Sequence, residues 1–225
     1  MTRSVPLRVG TASAIGSLPH RQIDAGVGLA LAASPELPAA PSLPALDPRE
    51  NMIAQAAWGM TGVEIGADGT LRLVGDLDAV APFGGDGGRA AVDGPPFAGL
   101  RAFLAAVRHR TAPIKLQATG PVTLAMALIT AGAEPDEAFA VAGVAVRLRV
   151  AAMLDAAVHA APLAPRVLFI DEPSLSALSS PDFPYAPDLA VDLVSGALAS
   201  AEDRAITGLH CCGETDWRLA LAAGP

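Results

Sequence analysis

Near the end of the chain, His210-Cys211-Cys212 sets an imidazole and a thiol two positions apart. On a strand, side chains at i and i+2 project to one face. An imidazole nitrogen and a thiolate placed that way can share one tetrahedral zinc ion. The soft N/S pair favours zinc over magnesium. The same residues also read as small cysteines packed beside a helix start. A zinc site takes at least three protein ligands, and here His210 and Cys212 are the two clear metal candidates. Glu214 and Cys211 are poor substitutes, given their direction.

Asp171-Glu172-Pro173 follows an apolar run, Val167-Leu168-Phe169-Ile170. Two carboxylates at a strand end can anchor an ammonium group, serve as acid and base, or bind a cation. Both are therefore candidate catalytic residues. The competing reading is a helix cap, with Asp171 accepting backbone N–H groups and Pro173 opening the helix. Both readings stay open on the residues alone. Thr119-Gly120-Pro121-Val122-Thr123 offers free N–H groups at a helix start, an anion or carbonyl site, or else ordinary punctuation. In Ile15-Gly16-Ser17 the glycine lets a ligand approach the backbone. His20, His109 and His159 have no partner pattern and read as surface or helix-terminal residues. Trp58 and Trp217 read as core or helix-packing residues.

These groups need elements to hold them. Residues 9–19 read as a short strand ending in a Gly-Ser turn, and residues 21–33 as a helix. Proline-rich patches at 35–38 and 41–48 flank a second strand near 40–43, which Pro44 ends because proline cannot donate to a ladder. Residues 49–58 have helical spacing. Asp68-Gly69 between two alternating runs predicts a hairpin over 62–75. The glycine-rich stretch 84–88 reads as a connector, without the Gly-Lys-Ser/Thr ending of a phosphate loop. Helices follow at 96–110, 121–131, 135–159, 188–200 and 215–223, and strands at 114–119, 167–170 and 205–209. Pro121 suits a first helical position, and Asp136 and Glu137 favour the dipole in their helix's first turn.

Alternating units with near-continuous apolar strands predict an α/β fold with a parallel sheet and helices outside. The expectation is one domain over residues 1–225, a TIM (β/α)8-type barrel incomplete at its C-terminus. Roughly five barrel-type strands are read, against about eight strands and ~250 residues in a closed barrel. Ser17, Thr119, Asp171 with Glu172, and His210 with Cys212 all fall just after strand C-termini, where such barrels place chemistry. A doubly wound sheet uses the same strand ends.

Composition bounds the partners. The chain has 225 residues, 52% hydrophobic and 17% charged, with net charge -8. Mean hydropathy is +0.42 and the pI near 4.9. Lys115 is the single lysine and no basic cluster occurs, which disfavours nucleic acid. No charge-free apolar run reaches the about 18 residues of a membrane span, and residues 1–10 lack the apolar core of a secretory signal. Two adjacent cysteines exclude a disulfide framework. Free thiols of this kind suit the cytoplasm.

Taken in order, Ile15-Gly16-Ser17-Leu18-Pro19, Thr119-Gly120-Pro121-Val122-Thr123, Ile170-Asp171-Glu172-Pro173-Ser174-Leu175 and His210-x-Cys212 resemble the catalytic barrel of cobalamin-independent methionine synthase. They also resemble the wider superfamily of uroporphyrinogen decarboxylase and corrinoid-linked methyltransferases. Arg49-Glu50-Asn51-Met52-Ile53 looks like that family's helix after the second strand. The resemblance implies an enzyme of methionine biosynthesis, a zinc-dependent methyltransferase. Zinc holds a homocysteine-like thiol as thiolate, which takes a methyl group from methyltetrahydrofolate or a corrinoid. A free thiol, pKa ~8.5, is mostly protonated at neutral pH, and a metal deprotonates it. Under the resemblance Ile15, Gly16 and Ser17 hold the amino acid through their backbone, Asp171 pairs with its ammonium, Thr119 belongs to the site's mouth, and His210 and Cys212 ligate zinc. No further macromolecular partner is implied, and a homo-oligomer is compatible.

There are departures. The family's remaining zinc ligands, a Glu and a Cys, lie beyond Pro225. Its pterin-contacting carboxylate falls on Ala177, and Asp47 lies near, not on, its substrate-binding Glu. The missing end reads as truncation. Two alternatives remain: a metal-free decarboxylase-like barrel acting on a tetrapyrrole, and a non-catalytic remnant.

Overall fold

A computed structural model describes residues 7–84 and 90–224. Residues 1–6, most of the glycine-rich stretch read at 84–88, and Pro225 lie outside the described residues. The elements run α1 (Ile23–Ala33), α2 (Met52–Ala57), β1 (Val63–Ile65), β2 (Leu71–Leu73), α3 (Ala98–Ala106), β3 (Ile114–Thr119), α4 (Pro121–Thr130), α5 (Pro135–Ala160), β4 (Arg166–Asp171), α6 (Pro187–Ala199), β5 (Ile206–His210) and α7 (Trp217–Ala222). Short 3-10 turns lie at Pro48–Glu50, Pro95–Phe97 and Pro173–Ala177.

The expected (β/α)8 barrel is not what forms. Among the described residues the structure is 43% helical and 12% strand, with five strands in two small sheets. One is the antiparallel β1–β2 hairpin and the other the parallel sheet β3-β4-β5. The physical reason lies in the proline-rich first third. Residues 38–42 run alongside β3, with Lys115 N–H donating to the Pro38 carbonyl and Ala40 N–H to the Lys115 carbonyl, each at 2.9 Å. The Gly16–Leu18 stretch meets Ser42 through Ser42 N–H to Gly16 O at 3.0 Å and Leu18 N–H to Ser42 O at 2.9 Å. These remain isolated bridges, Ala39 with Lys115 and Ser17 with Ser42. Pro38, Pro41 and Pro44 carry no N–H, so the two predicted strands at 9–19 and 40–43 do not lengthen into ladders.

The hairpin forms as its turn chemistry dictates. Gly69 sits at φ 77, where a side chain is strained. Asp68 Oδ1 accepts from Thr70 N–H at 3.1 Å and from the Thr70 hydroxyl at 2.7 Å.

Register divides the parallel sheet into two faces. Thr119 lies opposite Asp171, and Asp171 opposite His210. One step of two residues back are Gln117, Phe169 and Gly208, then Lys115, Val167 and Ile206. The opposite face carries Ile114, Leu116, Ala118, Leu168 and Ile170, which join the main core with residues of α4, α5 and α6. Strand alternation thus sends apolar side chains to the helices and a mixed polar set to the other side. In α5, Arg149 is buried yet donates to the Ala91 carbonyl at 2.5 Å and to the Trp58 carbonyl. Its guanidinium lies 4.7 Å from the Phe83 ring and 5.2 Å from the Phe97 ring. It pins α2 and the segment before α3 to the long helix.

Among the described residues no helix is long and apolar enough to cross a membrane. Trp58 packs half-buried against the core, whereas Trp217, expected to pack, is 50% exposed on α7.

Candidate functional site

A cavity of about 230 Å³ opens beside the C-terminal ends of β3 and β4, lined by Ile15, Ser17, Ser42, Asn51, Gln117, Thr119, Asp171 and several neighbours. Five sequence candidates therefore meet in one place, since Gly16 lies between Ile15 and Ser17 and packs on Gln117. A side-chain carbon at Gly16 would collide with the Gln117 amide and sit 2.9 Å from the Ala40 carbonyl. At φ 121 the position also disfavours any other residue.

Asp171 is the charged group of this cavity. It is 9% exposed, and its Oδ1 has no hydrogen-bond partner among the described residues. Desolvation raises its pKa to about 6, moderated by the charge of Lys115. Such a carboxylate is ionised at neutral pH and lacks a donor, the condition that draws a cationic or N–H-bearing ligand. Thr119 donates its hydroxyl to the Met52 carbonyl at 2.7 Å, fixing α2 at the rim.

Glu172, the other catalytic candidate, points elsewhere. It is fully buried, and both oxygens are occupied at the start of α4. Oε1 accepts from Val122 N–H at 2.8 Å. Oε2 accepts from Thr123 N–H at 2.8 Å and from the Thr123 hydroxyl at 2.6 Å. The cap expected from the sequence, Asp171 at a helix opened by Pro173, does not form, since Pro173–Ala177 is a 3-10 turn without a side-chain cap; Glu172 instead caps α4 from the end of the next strand. Burial nevertheless raises its pKa to about 7. Gly120 leaves the room, because a side-chain carbon there would collide with the Glu172 carboxylate.

His210 stands beside Asp171 in register, partly buried, its pKa lowered by desolvation and by Lys115. Cys211 points into the core side and Cys212 is exposed, both as free thiols. Cys212 lies past the end of β5, so strand alternation no longer sets its direction. Among the described residues, no three His, Cys, Asp or Glu side chains form a group able to hold a metal. His210 and Cys212 would supply two of the three or four ligands that a protein-held zinc takes.

Asp47, near the family's substrate-binding position, is spent on Arg49, whose Nη2 donates at 2.7 Å. Glu50 is buried and ties a loop to the first turn of α3, accepting from Leu43 N–H at 2.6 Å and Gly99 N–H at 2.8 Å. Ala177 ends the 3-10 turn after Pro173. His109 is exposed, His159 lies in the last turn of α5 and His20 is half-buried with Nδ1 unpartnered. Sequence reasoning missed Ser42, Asn51, Gln55 and Gln117 as cavity residues. The available signal was the period of two in Lys115, Gln117 and Thr119, a polar edge inside a strand read as apolar.

No family model, curated protein or solved structure matches the chain.

Proposed function

We propose that the cavity beside Asp171 binds a small amino-acid thiol of the homocysteine kind, and that the chain serves methyl transfer to its sulfur. One observation carries the binding half: a buried, ionised carboxylate with one oxygen lacking a hydrogen-bond partner, at a polar-lined cavity of about 230 Å³. An α-ammonium supplies the missing N–H donors and the opposite charge. The Ser17 and Ser42 hydroxyls offer hydrogen bonds for a ligand carboxylate, whereas both amide hydrogens of Asn51 are held by the Pro48 and Gly69 carbonyls. The volume is below the usual range for drug-sized ligands, about 300–1,000 Å³, and favours an amino acid over a tetrapyrrole.

The methyl-transfer half rests on the ordered motif set. A thiol must lose its proton before it attacks a methyl group. His210, opposite Asp171 in strand register and with its pKa lowered by desolvation, is the base assigned to that proton in this reading. The sulfur lone pair then forms the bond to the methyl carbon as the donor's bond breaks and takes its electron pair. No step is assigned to zinc, because the described residues provide two donors. The donor, methyltetrahydrofolate or a corrinoid, is the resemblance's contribution.

Calorimetric titration of L-homocysteine into the full chain, with and without zinc and under reducing conditions, tests the reading. Heat in the metal-free arm supports the cavity as drawn. Heat only with zinc restores the metal to the site. Silence in both arms removes the proposal.

A further inference from the structure

The lip of the Asp171 cavity, residues 14–17, has few apolar anchors of its own. Ala14, Ile15 and Ser17 are exposed, and Ile15 keeps 53% of its surface in water. A segment with so little buried surface opens easily unless polar ties hold it. Ser13 donates its hydroxyl to the Leu37 carbonyl at 2.8 Å, and the Ser42 backbone holds Gly16 and Leu18.

The remaining tie comes from the sheet. Lys115 is 4% exposed on β3, and its ammonium donates to the Ala14 carbonyl at 2.9 Å and the Ile15 carbonyl at 3.4 Å. Among the described residues no acidic side chain is paired with it within ion-pair distance. A long, strongly hydrated cation is rarely placed under cover to hold two carbonyls. Beneath it lies the Phe169 ring, with the ammonium 4.7 Å from the centroid. Phe169 in turn lies flat against β5 only because residue 208 is glycine, where a side-chain carbon would sit 2.7 Å from the ring. The contacts thus run Gly208, Phe169, Lys115, then the lip.

We propose that Lys115 is a positioning residue of the ligand site: supported by Phe169 in the space Gly208 leaves, it ties the Ala14–Ile15 carbonyls down and so sets where Ile15 and Ser17 meet the ligand. This rests on the reading of the Asp171 cavity as an amino-acid site. Removing the ammonium leaves two carbonyls to water and lets the lip lift. Arginine keeps a charge that can reach the carbonyls and stack on the ring, with a bulkier head to accommodate under the lip.

The test measures amide hydrogen exchange and L-homocysteine affinity on the full chain, for wild type, Lys115→Met, Lys115→Arg and Gly208→Ala. In Lys115→Met the amides of Leu18 and Ser42 exchange about tenfold faster while those of β4 hold, and homocysteine binds about tenfold more weakly. Lys115→Arg recovers most of both. Gly208→Ala, which removes no charge, gives smaller changes of the same sign. Unchanged lip exchange in Lys115→Met overturns the proposal, as does faster exchange with unaltered affinity. If Lys115→Met unfolds, β4 amides exchange in step with the lip, and Gly208→Ala then decides on the same two readings. If wild type binds no homocysteine, the amino-acid reading falls by itself, and lip exchange still decides whether Lys115 is the tether.

Discussion

Asp171 and Glu172 are chain neighbours with similar burial and opposite circumstances. Glu172 meets three donors from α4, and all of its acceptor capacity toward that helix is used. Asp171 lines a cavity with one oxygen unmatched. The strand's alternation separates them, since adjacent residues leave opposite faces. One face meets the helix layer, where a buried acid survives only as a cap. The other meets the cavity, where an unmatched acid is free to take a ligand. Burial alone therefore does not mark a functional acid; the unmet partner does.

Removing Glu172 attacks the matched side of that contrast hardest. Glu172→Ala strands the Val122 and Thr123 N–H groups and is expected to cost about 3 kcal/mol, read from urea unfolding. A loss under 1 kcal/mol on the same scale would show that the cap is slack. On the unmatched side, Asp171→Asn is expected to change stability by less than about 1 kcal/mol, because no internal donor is lost. Its homocysteine affinity should nonetheless fall by about 2 kcal/mol, roughly thirtyfold, the worth of a charged hydrogen bond. Equal affinity in the variant would place the ammonium elsewhere.

The pH response should also divide the two properties. Asp171 and Glu172 hold their protons to about 6 and about 7 when folded, above 3.8 and 4.5. Folding then binds protons, so their stabilising contribution is complete below pH ~4 and lost as pH rises through 6 and 7. Glu50, also raised by burial, acts in the same direction. His210, held low, works against it near its ordinary range. Asp47, Asp68 and Asp78 are held low by hydrogen bonds, so their contribution is lost only on acidification below that window. Unfolding free energies from urea titration are therefore expected to fall from pH 5 to pH 7.5, by on the order of 3 kcal/mol. Homocysteine affinity should rise over the same interval as Asp171 ionises. Parallel trends in the two measurements would break the division. A modest loss is expected at Thr119: Thr119→Val loses the bond to the Met52 carbonyl, about 1 kcal/mol by thermal or urea unfolding.

Much of the framework was legible from local chemistry. The apolar run before Asp171 became β4, the Asp68-Gly69 hairpin formed, and Pro135 opened the 26-residue α5. These signals are short-range and survive any tertiary context. The (β/α)8 expectation failed where the ladder needed N–H groups that Pro38, Pro41 and Pro44 lack. At the site, Asp171, Ser17 and Thr119 were legible as strand-end polar residues. The split between Asp171 and Glu172 was not: the sequence offered Asp171 as the cap of its own following helix, and only packing shows that Glu172 faces α4 and caps it. Lys115 and Gln117 stayed hidden because their function depends on the lip crossing the sheet, a contact about 100 residues apart in sequence.

The central claim is that Asp171's cavity recognises an ammonium group. Its most direct test is calorimetry on the wild-type chain at pH 7.5, comparing L-homocysteine with 4-mercaptobutanoate, the same molecule without its amine. The account predicts at least tenfold tighter binding of the amine-bearing ligand, the lower end of a charged hydrogen bond's worth. Equal affinities, or tighter binding of the deaminated thiol, would contradict it.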